Sequence, residues 1–277
     1  MRLFVLTALV MTAFAANSVL NRLALKGDAI GALDFAAIRL VSGAVFLGVL
    51  ALVLRRGLPV LVPRHVLGAA MLLLYVLGFS QAYLALDAGV GALILFGGVQ
   101  ITMFAGALIA REAVPPLRWA GAALAFAGLL WLLLPQNGGL QLDRGAVWAM
   151  AAAALGWGVY SLLGRGGGDA LARTAASFIL AAPLAVLATL AMPVSGGAMT
   201  GYGVALAVTA GVVTSGLGYA LWYQILPQLG AARGAVAQLT VPVIAALGGV
   251  LMIGESLTLQ FALATLLVLG GVALANR

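Results

Sequence analysis

The chain has 277 residues, of which 64% are hydrophobic and 8% charged, with a net charge of +7 and no cysteine. A soluble domain usually carries about 25% charged residues, so this composition excludes a water-soluble globule and points to a chain solvated largely by lipid. The absent cysteines exclude disulfide frameworks, thiolate metal sites and cysteine nucleophiles. The basic residues lie in short segments beside apolar runs, so the charge reads as membrane orientation and not as a nucleic-acid patch.

Apolar stretches of about 20 residues, enough to cross a bilayer as helices, are predicted at 3–24, 34–54, 65–86, 88–110, 116–134, 145–163, 174–192, 202–226, 231–253 and 257–275. The first contains Ala13-Phe14-Ala15, the form of a signal-peptide cleavage site. Its apolar character continues through Val19, Leu20 and Leu23, so a retained helix is expected. With the N-terminus inside, Arg2, Arg55, Arg56, Arg64, Arg111, Arg118, Arg165, Arg173, Arg233 and Arg277 face the cytoplasm, and Arg22, Lys26, Arg39 and Arg144 face outward. That ten-to-four asymmetry places both termini in the cytoplasm.

Sliding the chain on itself by 143 residues pairs Phe14 with Trp157, Ser18 with Ser161, Arg22 with Arg165, Phe79 with Trp222, Gln81 with Gln224 and Glu112 with Glu255. Gly91, Gly106 and Gly128 fall on Gly234, Gly249 and Gly271, but in a chain with 37 glycines such matches carry little weight. Each half holds five predicted spans, an odd number, so the second copy must enter the membrane with opposite orientation. The expected fold is an all-α integral membrane protein of ten transmembrane helices, built as two inverted five-helix repeats over 1–138 and 139–277.

Each half opens with an aromatic-small pair, Phe14-Ala15 and Trp157-Gly158, and carries a glutamate after its fourth helix. The segments GGVQITMFAGALIAREAVPPLRWAGAALAFAGLL and QLTVPVIAALGGVLMIGESLTLQFALATLLVLGGVAL resemble the fourth-and-fifth-helix part of the EamA-type repeat of the drug/metabolite transporter superfamily. The resemblance covers essentially the whole chain. One departure is Pro242, whose counterpart is Val99 where a proline is expected in both copies. Within the superfamily, the size and mid-membrane aromatics are most similar to bacterial exporters of aromatic amino acids. This implies a bacterial inner-membrane protein that exports aromatic and other neutral amino acids by alternating access around a central cavity. No cofactor and no metal are implied. The partners are the small-molecule substrate and the lipid bilayer, without nucleic acid, and a monomer is compatible with the reading.

Trp119, Trp131 and Trp148 fall near predicted helix ends, as interfacial anchors do. Tyr75, Phe79, Tyr83, Trp157, Tyr160, Tyr219 and Trp222 lie deeper, and the first three recur every four residues on one helical face. Buried phenols and indoles need hydrogen-bond partners, which a polar cavity supplies; ordinary helix packing is the alternative. Asn17 with Asn21 and Phe96 with Gln100 are further pairs four apart, and Gln238 lies on the ninth span. Amides inside a bilayer either join helices or face a cavity, where they would recognise the zwitterionic end of an amino acid.

Arg39 is expected to snorkel outward or to pair with Asp34, with a functional role as the alternative. Glu112 and Glu255 each precede a helix and read as N-terminal caps. Gly97, Gly98, Gly216, Gly218 and Pro242 are hinge candidates, with close packing as the competing explanation.

An intramembrane enzyme is disfavoured, because the one histidine, His65, sits at a span edge and no acidic pair lies at mid-membrane. A channel or receptor, and an exporter of another metabolite or drug, remain alternatives. The absence of Asp, Glu or His from the middle of the predicted spans argues against a cation exporter and against proton coupling.

Overall fold

A computed structural model describes residues 1–54, 57, 62–111, 115–134, 142–164, 169–191, 198–229, 234 and 237–275. Within them the long helices are α1 (Arg2–Lys26), α2 (Ala32–Val53), α3 (Pro63–Ala82), α4 (Ala88–Ile109), α5 (Pro116–Leu133), α6 (Arg144–Gly164), α7 (Ala170–Ala191), α8 (Gly201–Leu229), α9 (Thr240–Ile253) and α10 (Leu259–Ala275). The described residues contain no strand. The first eight helices are long and apolar enough to cross a membrane, and α9 and α10 are shorter but equally apolar. In hydrocarbon every backbone N–H and C=O must be bonded within the protein, and a helix satisfies them inside its own segment. The protein is therefore an all-α, multi-pass membrane protein.

Three predicted spans differ from what forms by four residues or more, the seventh starting at Ala170 and not at 174. The third ends at Ala82 and not at 86, because Tyr83 to Leu86 turn back through backbone bonds to Phe79, Gln81 and Ala82. The ninth is interrupted: Ala237 and Gln238 are helical, Leu239 is a turn residue and α9 then starts at Thr240. Pro242, expected inside a long span, sits in the first turn of α9, where its missing N–H costs little. Residues 231–233, 235 and 236 of that span, Glu112, and the repeat boundary at 138/139 lie outside the described residues.

α8 is not uniform, since Ala210–Leu217 is wound as a π-helix between two α-helical stretches. Such segments are rare and wide, and they rotate the side chains that follow relative to an α-helical register. Gly216 lies in this segment and Gly218 immediately after it.

The bundle is held by helix pairs: α2 on α7, α4 on α9, α5 on α10, α3 on α6 and α7, α8 on α1 and α2, α4 on α6, and α1 on α9. Lipid tails are as apolar as leucine, so close backbone approach does much of the work. A Cβ on Gly121 of α5 would strike the Gly271 carbonyl of α10, and one on Gly271 would strike the backbone of Ala125. Gly97 and Gly98 face Leu129 and Ala154 at similarly short range.

Candidate functional site

α3 passes three levels of the molecule. Its first turns carry His65 and Gly68, its middle Tyr75 and Phe79, and Tyr83 caps its far end. At about 1.5 Å per residue His65 and Tyr83 are roughly 27 Å apart.

At the first level His65, Gly68, Tyr160, Gly164, Arg173, Ser177 and Tyr223 line an opening of about 130 Å³ between α3, α6, α7 and α8. The Arg173 guanidinium donates to the Gly164 carbonyl at 2.9 Å, which ties α7 to the end of α6.

At the middle level the aromatics meet. Phe14 stands edge-on to Trp157, Tyr219 and Trp222 with ring centroids 6.0, 5.7 and 5.8 Å away. Trp157 lies 5.1 Å from Tyr75 and 4.7 Å from Tyr219. These are attractive geometries, contributing about 0.5–1.5 kcal/mol per pair beyond area burial. With Asn17, Phe79 and Phe96 the rings enclose about 10 Å³, on the scale of one water molecule.

Beside these rings runs a polar network. Arg39 on α2 is completely buried; its Nε donates to Ser215 Oγ at 2.9 Å, and its Nη2 to Tyr75 Oη and Tyr219 Oη at 3.1 and 3.0 Å. Its guanidinium carbon also sits 5.3 and 5.2 Å from the Tyr75 and Phe79 ring centroids. Thr214 and Ser215 both donate to Asn17 Oδ1. The two hydroxyls are neighbours in the π-helical segment, so that departure from α-helix turns both toward α1 and α2.

The third level is closed by charge. Arg22 donates through Nε to Glu255 Oε1 at 3.1 Å, through Nη1 to the Tyr83 and Leu84 carbonyls, and through Nη2 to Asp87 Oδ1 at 3.4 Å. Glu255 Oε2 accepts from the Ala88 N–H at 2.8 Å, so this carboxylate caps α4. Gly254 (φ 71°) supplies the left-handed turn that points Glu255 back into the bundle. Burial pushes the Glu255 carboxyl above its ordinary range, with Asp87 adding to the rise, against the Ala88 N–H and Arg22.

Asn17, Tyr75, Phe79, Phe96, Trp157 and Tyr219 thus meet at the enclosed space, and Tyr160 lines the opening at the first level. Trp222 backs Phe14; Tyr83 packs on Phe79 at 4.7 Å and donates to the Ala88 carbonyl. Asn21 accepts from Ser80 at 2.9 Å, a helix-joining bond. Gln100 is half-buried on α4 and Gln238 buried, and neither is part of the lining. Arg39 departs from expectation, being sealed inside and bonded to three hydroxyls instead of snorkelling or pairing with Asp34. Glu255 also departs, because it caps α4 while Thr258 accepts from Phe261 N in the first turn of α10. Thr214 and Ser215 have no sequence signal, since nothing in the primary structure marks a π-helix.

Residues 144–277 match the EamA-like transporter family. An uncharacterized protein of Pseudomonas aeruginosa is 48% identical over 273 residues, spanning 99% of this chain and 94% of its own. The chain belongs to the EamA-like transporter family. A solved crystal structure aligns with this transporter at a TM-score of 0.69 and 23% identity, over 98% of this chain and 95% of the other, a likeness of fold. In this EamA transporter, the aromatic cluster, Arg39 and the Arg22 ion pairs lie buried between packed helices.

Proposed function

We propose that this EamA transporter exports amino acids, aromatic and other neutral ones, across the bacterial inner membrane by alternating access. Its ten helices form two inverted five-helix repeats, 1–138 and 139–277, with both termini cytoplasmic. The observation that carries the reading is the order of levels along α3: an open vestibule, an aromatic cluster and an ion-paired closure. A solute path open at one end and sealed at the other is one half of an alternating-access cycle.

The packing supports the repeat. A shift of 143 residues carries α1–α5 onto α6–α10. It converts the α3–α6 contact into α8–α1, α3–α7 into α8–α2, and α4–α6 into α9–α1, all of which occur, while α2–α7, α4–α9 and α5–α10 map onto themselves. The basic residues around the vestibule end, where Arg173 lies, fit a cytoplasmic placement. Aromatic walls broken by Asn17 and the Tyr75 and Tyr219 hydroxyls suit a solute with an apolar side chain and a polar end. The 10 Å³ enclosed between them must expand when such a solute enters, and the broken ninth span and the π-helical turn of α8 supply places to bend.

Counterflow in proteoliposomes loaded with one unlabelled amino acid at a time tests the reading. Accumulation of labelled tryptophan or phenylalanine against its own unlabelled form is expected. No exchange of any amino acid by correctly inserted, monodisperse protein would overturn it.

A further inference from the structure

Among the described residues two guanidinium groups are buried, and the surroundings treat them differently. Arg22 is neutralised by two carboxylates, and its Nε, Nη1 and Nη2 are all engaged. Arg39 is sealed more completely, yet every acceptor it reaches is a neutral hydroxyl. Its Nη1 has no hydrogen-bond partner among the described residues. No carboxylate of the described residues bonds it. Two aromatic faces spread its charge without cancelling it.

A guanidinium with no anion, held at the middle of an apolar bundle, is unfavourable unless something completes it. The neighbourhood shows where the completing group would come from. Two of its three hydroxyl acceptors, on Tyr75 and Tyr219, belong to rings that line the enclosed space, and the Phe79 ring under its charge lines it too. Those hydroxyls can also turn their own protons toward an incoming oxygen. The fork of arginine donors matches the paired oxygens of a carboxylate or a phosphate, and the small aromatic-walled space favours the less bulky carboxylate.

We propose that Arg39 is the anion anchor of the central site: the transported solute carries a carboxylate, which binds the free Nη1 edge of Arg39 and the Tyr75 and Tyr219 hydroxyls. The inference rests on the reading that the aromatic level is the solute site. It adds which end of the solute is read there: the acidic group is required, and the amino group is secondary. Because arginine keeps its charge across accessible pH, the anchor holds its ligand by charge without taking up or releasing a proton.

The test is a competition panel on the whole transporter in proteoliposomes, with labelled tryptophan or phenylalanine as the reporter of exchange. Unlabelled 3-phenylpropionate and indole-3-propionate, which keep the acid and lack the amine, are expected to compete within about tenfold of the amino acids. Phenethylamine and tryptamine, which keep the amine and lack the acid, are expected to compete at least a hundredfold less well. Equal competition by the two sets would overturn the role of Arg39 while leaving amino-acid export standing. If no amino acid exchanges but labelled 3-phenylpropionate does, the anchor stands and the amino-acid reading falls.

Arg39→Lys and Arg39→Gln complete the test, each checked for monodispersity and unchanged thermal midpoint. The lysine variant is expected to keep acid-over-amine preference at reduced affinity and the glutamine variant to lose it. A correctly folded glutamine variant with the full wild-type preference would overturn the proposal.

Discussion

Arg22 Nε and Glu255 Oε1, separated by 233 residues in sequence, stand 3.1 Å apart and join the end of α1 to the turn between α9 and α10. The side chains retain 9% and 4% of their exposure, so little water screens the pair. The second contact of Arg22, to Asp87, reaches a carboxylate that keeps 34% exposure and contributes less.

Arg22→Gln should loosen this end. Removing one partner of a buried pair costs roughly 3–5 kcal/mol, and here it leaves the Glu255 and Asp87 carboxylates without the guanidinium between them. The distance between spin labels at Lys26 and Ser256, which flank the pair, should lengthen relative to the otherwise wild-type protein. An unchanged distance would mean that the pair does not restrain the closure.

The Glu255 carboxylate gives the closure a pH dependence whose sign is fixed. Burial holds Glu255 above its ordinary value of 4.5 while the end is closed. Once opened to water the group returns toward that value, so the closed arrangement binds the proton more readily. By linkage, opening becomes easier as pH rises through the interval between the two values and harder as pH falls through it. The spin-label distance between positions 26 and 256 should therefore be shorter at mildly acidic than at neutral pH, and the difference should vanish in Glu255→Gln.

Gly121 and Gly271 let α5 and α10 touch backbone to backbone. Gly271→Val inserts three carbons where no Cβ fits, and overpacking of this kind costs roughly 1–3 kcal/mol or more. The thermal midpoint in detergent should fall by several degrees, with solute selectivity unchanged in whatever folds. An unaltered midpoint would show that these helices are not tightly apposed in solution.

Much of the fold was legible because bilayer solvation leaves a coarse mark: twenty apolar residues in a row can do little except span. The aromatic residues were legible for the same reason, since Tyr75, Phe79, Trp157 and Tyr219 are expensive to place deep without partners. What escaped depends on distance in sequence or on backbone irregularity. Arg39 lies eight residues into α2, where a snorkelling arginine and a buried one look alike in sequence, and its partner Ser215 is 176 residues away in a π-helical turn. Glu255 was readable as a helix cap, but its helix is α4 and not the adjacent α10, because the left-handed turn at Gly254 reverses the chain.

Membrane orientation has a direct test in this cysteine-free chain. Single cysteines at positions 27 and 57 flank α2 and should label from opposite sides, 27 from outside and 57 from the cytoplasm. The reverse pattern would invert the transporter and turn the vestibule outward.

The central claim is that the two ends of the path open in alternation around the aromatic level. Electron–electron spin-label distances measure this directly, with one pair at Lys26 and Ser256 across the Arg22–Glu255 closure and another at Val66 and Gln228 across the vestibule. Titrating the transported solute should move the two distance distributions in opposite directions, the first lengthening as the second shortens. Two distributions that lengthen together, or that both stay fixed while the same sample exchanges solute, would contradict alternating access.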